Sequence, residues 1–277
     1  MTEDTASGVR AEHTGGAVRG DGAREVRGGL IAGAREALTT PPMGFAGKSW
    51  FGWAVLTVVA IVLLLPHDAE IANRINSKAW RLPGDFRREL SALQQFGQGT
   101  SIALLALVVW IMDPARRVRL FDFALGMGVA LLTALSAKML IGRPRPKFDD
   151  PERFLGPFGV YPVMPKDGNG PPILAHAWDI TKGISSDLWS MPSSHTASAA
   201  AFACFIAVMY PKLRWIALGL TCLVGYGRLL FDAHYPTDVL AGGMIGWVVA
   251  RLFMGDAVND GLGVKLARRL KLVGSAK

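Results

Sequence analysis

At 277 residues, 51% of them hydrophobic and with a mean hydropathy of +0.29, the chain is too apolar for an ordinary soluble domain and reads as one integral membrane domain. The formal net charge of +8 does not point to nucleic acid, because the basic residues sit in short loops between apolar runs and in the tail, which is the pattern of membrane topology. The two cysteines, Cys204 and Cys222, each fall inside an apolar run, so the expectation is packing, with no disulfide and no metal site.

Residues 1–45 are rich in Gly, Ala, Arg and Glu and are expected to form a disordered cytoplasmic tail; Gly29 to Ala32 is too short for a signal-peptide core. Residues 46–255 are expected to be a single membrane domain. Its first span is Trp50 to Leu65, uncharged, closed by Pro66 and led in by Phe45 to Trp50; a crossing needs about 20 residues. From His67 to about Gln98 the chain is mixed and charged, with apolar positions at Ile71, Ile75, Trp80 and Leu82, which predicts one or two amphipathic helices at the membrane interface. A second span covers Gly99 to Met112 and is short unless Leu93 to Phe96 belong to it. A basic turn, Asp113 to Arg119, leads to a third span at Leu120 to Ile141.

Residues 142–193 form a loop rich in Pro, Gly and Asp, far longer than a usual connection and therefore expected to be functional or disordered. Three more spans are expected at Ser194 to Tyr210, Trp215 to Phe231 and Asp238 to Met254, followed by a basic cytoplasmic tail, residues 256–277. The fold class is thus an all-α membrane bundle of six transmembrane helices with an amphipathic segment and one long loop. By the positive-inside rule, Arg116, Arg117, Arg119, Lys212, Arg214 and the tail face the cytoplasm together with both termini. The loops at 67–98, 142–193 and 232–237 then face outward.

Three polar stretches lie at that outer face. In the first, K-M-L-I-G-R-P-R-P from Lys138 to Pro146, Lys138 sits inside the end of a span, where a lysine is functional or else snorkels to the interface. Pro144 and Pro146 stop the helix, so Arg145 caps the span and leans over the same spot; Arg143 and Lys147 read as rim charges. In the second, Pro192-Ser193-Ser194-His195 opens a helix whose N-terminus is a ready anion site, while the two serines taken by themselves favour ordinary N-capping. His195 is placed to protonate a departing alkoxide. In the third, from Gly227 to Asp238, Arg228 can fork onto phosphate oxygens, His234 can attack phosphorus as a neutral imidazole, and Asp238, four residues on, can orient that ring. Asp232 reads as a turn residue.

Together these stretches resemble the signature of the type 2 phosphatidic acid phosphatase superfamily, which shares its site with vanadium haloperoxidases. Lys138, Arg145 and Pro146 match its first part, Pro192, Ser193 and His195 its second, and Arg228, His234 and Asp238 its third. Two positions depart from it: Ser194 stands in place of a glycine and Gly227 in place of a serine. The resemblance implies a phosphohydrolase without metal or other cofactor, acting on a lipid phosphate or pyrophosphate in the membrane. In it His234 is the nucleophile, Asp238 its orienter and His195 the proton carrier, and Lys138, Arg145, Arg228, Ser193 and Ser194 hold the phosphate. A lipid-phosphate binder or transporter keeping the same pocket is the competing reading, and a haloperoxidase fits six apolar spans poorly. Which lipid is the substrate, and the oligomeric state, are left open, since Gly242 and Gly246 suit internal packing as well as dimerisation.

Overall fold

The computed structural model describes residues 49–79, 82–165, 170–180, 186–255 and 259–273. The tail expected over residues 1–45 lies outside them. Helix α1, Ser49–Leu64, has neither charge nor a polar stripe and continues through a 3₁₀ turn, Leu65–His67, into α2, Asp68–Ala79. Pro66 does not break the run because it sits at the start of that turn, where its missing N–H is no loss. The expected interfacial segment therefore resolves differently at its start: α2 prolongs α1, and Phe51–Ser77 is one helix of 27 residues. Helix α3, Gly84–Leu93, with a 3₁₀ turn at Gln94–Gly97, meets α4, Gly99–Met112, at a bend of 64°.

The remaining helices are α5, Leu120–Ile141; α6, Ser194–Met209; α7, Arg214–Leu230; α8, Pro236–Phe253; and a short α9, Leu262–Arg269. Among the described residues three helical stretches are long and apolar enough to cross a membrane, Phe51–Ser77, Arg117–Phe148 and Pro211–Leu230, and the bent α3/α4 pair makes a fourth if it is one span. Ser194–Met209 is a shorter apolar helix. Helix α9, within the segment expected as a basic tail, is docked on α5: the Asp122 carboxylate accepts from the N–H groups of Gly261 (3.0 Å) and Val264 (2.8 Å), and Val264 and Ala267 are buried.

Helix α6 is the centre of the bundle because its alanines let neighbours approach. Ala197, Ala199, Ala200, Ala201 and Ala203 are buried, and a ring cluster of Phe96, Phe123, Phe202 and Phe205 fills the space beside them. Helix α8 lies backbone to backbone on α6: a Cβ on Gly242 would stand 2.3 Å from the Ser193 carbonyl oxygen, and one on Gly246 2.0 Å from that of Ala197. Gly242 and Gly246 are thus used in internal packing. Cys204 is buried in this core, and Cys222 is exposed on α7.

The long loop is ordered over its described residues. Strands β1, Tyr161–Val163, and β2, Ile173–Ala175, pair antiparallel, with Val163 opposite Ile173. Beneath them Leu155, Val163, Ala175, Ala177 and Leu188 form a small apolar core of their own.

Candidate active site

Each charged side chain of interest is delivered by the end of a helix. Helix α5 stops at Gly142, whose φ of +59° is a left-handed cap that glycine adopts without strain. One turn earlier the buried Lys138 donates from Nζ to the Trp189 carbonyl oxygen at 2.5 Å. Beyond the cap, Arg145 is held by the loop: its N–H donates to the Asp187 carbonyl (2.9 Å), and its guanidinium donates to Ser186 O (2.9 Å) and Ser186 Oγ (3.1 Å). Arg228, in the last turn of α7, donates from Nη1 to Gln94 Oε1 at 3.3 Å.

Ser193 is the N-cap of α6, accepting from Thr196 N–H and, at 3.0 Å, from the Thr196 hydroxyl. Capping was one of the two readings of that serine, and its own N–H is already bonded to the Asp238 carbonyl oxygen at 2.9 Å. The N–H groups of Ser194 and His195 follow in the first turn, where a helix leaves its donors unpaired within itself. Asp232 has a φ of +55°, in keeping with its reading as a turn residue.

His234 lies in the turn between α7 and α8, almost fully buried. Its Nδ1 is 2.7 Å from the Ser190 carbonyl oxygen and 3.7 Å from Asp238 Oδ2. A carbonyl oxygen only accepts, so Nδ1 carries the proton and Nε2 keeps its lone pair. The tautomer is set by a backbone carbonyl, with the Asp238 carboxylate at ion-pair distance rather than in the direct hydrogen bond that the four-residue spacing suggested. Burial holds the imidazole down to about 4, opposed by Asp238 and reinforced by the charges of Lys138 and Arg228, so the ring is neutral at physiological pH. The fields of Arg228, Lys138 and Arg145 reach His195, and the first two also reach His234. Two histidines and three cations thus share one electrostatic neighbourhood.

Arg143 corrects the sequence reading. Expected at the rim, it is fully buried, with Nη1 2.7 Å from Asp238 Oδ1 and Nη2 2.8 Å from the equally buried Asp68 Oδ2. Its guanidinium carbon lies 4.2 Å from the centre of the Tyr235 ring and 5.0 Å from that of Phe154. Lys147 does stand at the rim, half exposed and 2.8 Å from Asp187. Asp238 Oδ2 also accepts from Ser190 Oγ (2.5 Å) and from Tyr235 N–H (2.8 Å). Asp68, Ser190 and Gln94 went unnoticed in the sequence. A carbonyl carries no side-chain signal, but Asp68 had one: a carboxylate directly after an uncharged span. Among the described residues no group of three or more His, Cys, Asp or Glu is placed to hold a metal ion.

The model of the PAP2 superfamily matches residues 119–260. Among curated proteins the chain is similar to a lipid A 1-phosphatase of Rhizobium johnstonii, 30% identical over 112 residues that make up 40% of this chain and 36% of that protein. It is also similar to the bacitracin transport permease protein BcrC of Bacillus licheniformis, 37% identical over 65 residues, 24% of this chain and 32% of that one. The chain therefore spans about a third of the length of these relatives. Among solved structures it is similar to Aquifex aeolicus LpxE, with 20% identity and a TM-score of 0.48 over 66% of this chain and 92% of that one. A PAP2 type phosphatidylglycerolphosphate phosphatase from Bacillus subtilis gives 17% identity and a TM-score of 0.47 over 84% and 100%.

Proposed function

This chain belongs to the PAP2 superfamily, and we propose from that premise that it is a membrane phosphohydrolase removing phosphate from a lipid phosphate or lipid pyrophosphate through a phosphohistidine. The observation that carries the reading is the His234 ring, whose Nδ1–H is committed to the Ser190 carbonyl and whose Nε2 lone pair is left for phosphorus, within the fields of Lys138 and Arg228. In the first step that lone pair bonds to phosphorus, the ester P–O bond breaks, and the departing oxygen takes a proton from His195. In the second, His195 takes a proton from water, the water oxygen bonds to phosphorus, and the P–N electron pair returns to Nε2. Lys138, Arg145 and Arg228, with the first-turn N–H groups of Ser194 and His195, would hold the equatorial oxygens on which transition-state charge collects.

A lipid substrate is supported by the similarity to a lipid A 1-phosphatase and by the apolar helices that carry the site; an apolar groove of about 470 Å³ also lies among α1, α6, α7 and α8. Its lining includes Thr196, Leu229 and Val239, next in sequence to His195, Arg228 and Asp238, but none of the candidate site residues themselves, and it reaches Arg214 and Trp215 at the other end of α7. The chemistry needs no metal ion, since the phosphate-facing groups are cations and N–H donors, which supply the charge stabilisation a divalent ion would bring. The purified protein should therefore release phosphate from at least one lipid in a panel of lipid monophosphates and pyrophosphates, at the same rate with EDTA as without. Loss of activity in EDTA that Mg²⁺ restores would refute the metal-free mechanism. One relative is named a transport permease, and a binder that keeps the pocket without turnover would retain labelled lipid phosphate and release no phosphate from any of them.

We place six crossings at α1/α2, α3/α4, α5, α6, α7 and α8, with the site and the 142–193 loop outside the cytoplasm, on the strength of the basic turns at Arg116 to Arg119 and Lys212 to Arg214. Phe158, the most exposed large apolar side chain among the described residues of the loop at 89%, reports the side. With Cys204 and Cys222 replaced by alanine, a Phe158→Cys variant should react with an impermeant maleimide in intact cells. Reaction only after lysis would invert the topology.

A further inference from the structure

Asp68 and Arg143 stand behind the site with no part in the steps above, and both are completely buried. We propose that Asp68 is a positioning residue for phosphoryl transfer: acting through Arg143, it leaves Asp238 with an uncompensated negative charge that a phosphorylated, positively charged His234 then neutralises. The proposal rests on the phosphohistidine reading.

Charge counting inside the cluster carries the argument. Arg143 touches Asp238 at 2.7 Å, and that pair alone is neutral, with nothing to offer a cationic ring. The same guanidinium touches Asp68 at 2.8 Å, so two carboxylates and one guanidinium, all without solvent exposure, sum to one negative charge. When Nε2 bonds to phosphorus while Nδ1 keeps its proton on the Ser190 carbonyl, the ring gains one positive charge, 3.7 Å from Asp238 Oδ2. A net charge is costly in a low-dielectric interior, so the cluster favours the state in which the ring is positive. The fields of Lys138 and Arg145 also reach Asp238, but these two and Arg228 make no direct ion pair with it and are the cations that meet the charge of the bound substrate.

The hydrogen bonds show a closed arrangement. A guanidinium has five N–H donors. Here Nε donates to Pro151 O (3.1 Å), Nη1 to Thr237 Oγ1 (3.0 Å) and Asp238 Oδ1 (2.7 Å), and Nη2 to Pro151 O (2.7 Å) and Asp68 Oδ2 (2.8 Å). Asp68 Oδ1 accepts from Thr237 N–H at 3.1 Å, and Oδ2 accepts also from the Thr237 hydroxyl. Oδ1 meets the Thr237 N–H and Oδ2 the Arg143 guanidinium, two obligate donors that favour the ionised carboxylate. Asp68 thereby also ties α2 to the first turn of α8, and a purely structural role is the alternative to be separated.

Asp68→Asn removes the charge and keeps an acceptor for Thr237 N–H. The full-length protein in detergent, given ³²P-labelled p-nitrophenyl phosphate in a quenched single turnover, should form phosphohistidine about tenfold or more slowly in this variant, with KM changed less than about twofold. Asp68→Glu and Asp68→Gln repeat the comparison with side chains of one size that differ in charge, which serves if the asparagine variant does not fold; the glutamate variant should label faster than the glutamine one. Equal labelling rates in Asp68→Asn and wild type, or in the Glu and Gln variants, would overturn the proposal, as would a loss that appears wholly in KM. A wild-type protein that never labels would instead sink the phosphohistidine reading itself, before any variant is compared.

Discussion

Replacing His234 with alanine should abolish phosphoenzyme and lower turnover by roughly 10⁴- to 10⁶-fold, while replacing His195 should leave phosphoenzyme detectable. The two imidazoles look alike in composition and differ in what surrounds them. His234 is buried, its Nδ1–H is fixed on the Ser190 carbonyl, and a carboxylate stands 3.7 Å behind it. His195 stands in the first turn of α6, half-buried, with cations around it. A substrate with a good leaving group, such as p-nitrophenyl phosphate, needs little proton donation in the first step, so His195→Ala should still transfer phosphorus to His234. It should then accumulate the intermediate, because the base that activates water is gone. Acid-labile, base-stable ³²P on quenched protein is the measurement. Label in His234→Ala and none in His195→Ala would reverse the two roles.

Arg143→Ala should destabilise the protein strongly. It leaves the carboxylates of Asp68 and Asp238 buried and facing a hole, and removing one partner of a buried ion pair costs about 3–5 kcal/mol. It also cuts the loop free at Pro151 and removes the contacts with the Tyr235 and Phe154 rings. Arg143→Lys should recover little, since an ammonium has three donors where five acceptor contacts are in place. The penalty is largely uncompensated charge, so adding Asp68→Asn to Arg143→Ala should restore part of the loss, a non-additivity that thermal unfolding in detergent can read. An Arg143→Ala protein as stable as wild type, or a double variant worse than the sum of the singles, would show that the triad is not what holds these elements together.

The positions of the helices were legible in the chain because they depend on local properties: uninterrupted apolar runs, and prolines and glycines at their ends. Ser49–Leu64, Leu120–Ile141 and Ser194–Met209 fall within a few residues of where those signals put them. The side chains of the candidate site were legible for a related reason, since a lysine, two arginines and two histidines at the ends of apolar segments have few roles besides chemistry. Arg143 defeated the same reasoning. In G-R-P-R-P it is as basic and as close to the helix end as Arg145, yet one side chain turns out to be buried between two carboxylates and the other is held by the loop at Ser186.

No local rule separates those two arginines, because the difference lies in what comes from elsewhere in the chain. Asp68 arrives from α2 and Thr237 and Asp238 from α8, and only their meeting makes a place for a buried guanidinium. Likewise the tautomer of His234 depends on a carbonyl oxygen 44 positions away, which has no side-chain identity to read. The chain by itself determined the helices, the polar residues at their ends and the family those residues resemble, all properties of neighbours in sequence. Tertiary structure decided which charges are buried and in which direction each donor points, because burial and hydrogen-bond geometry are properties of neighbours in space.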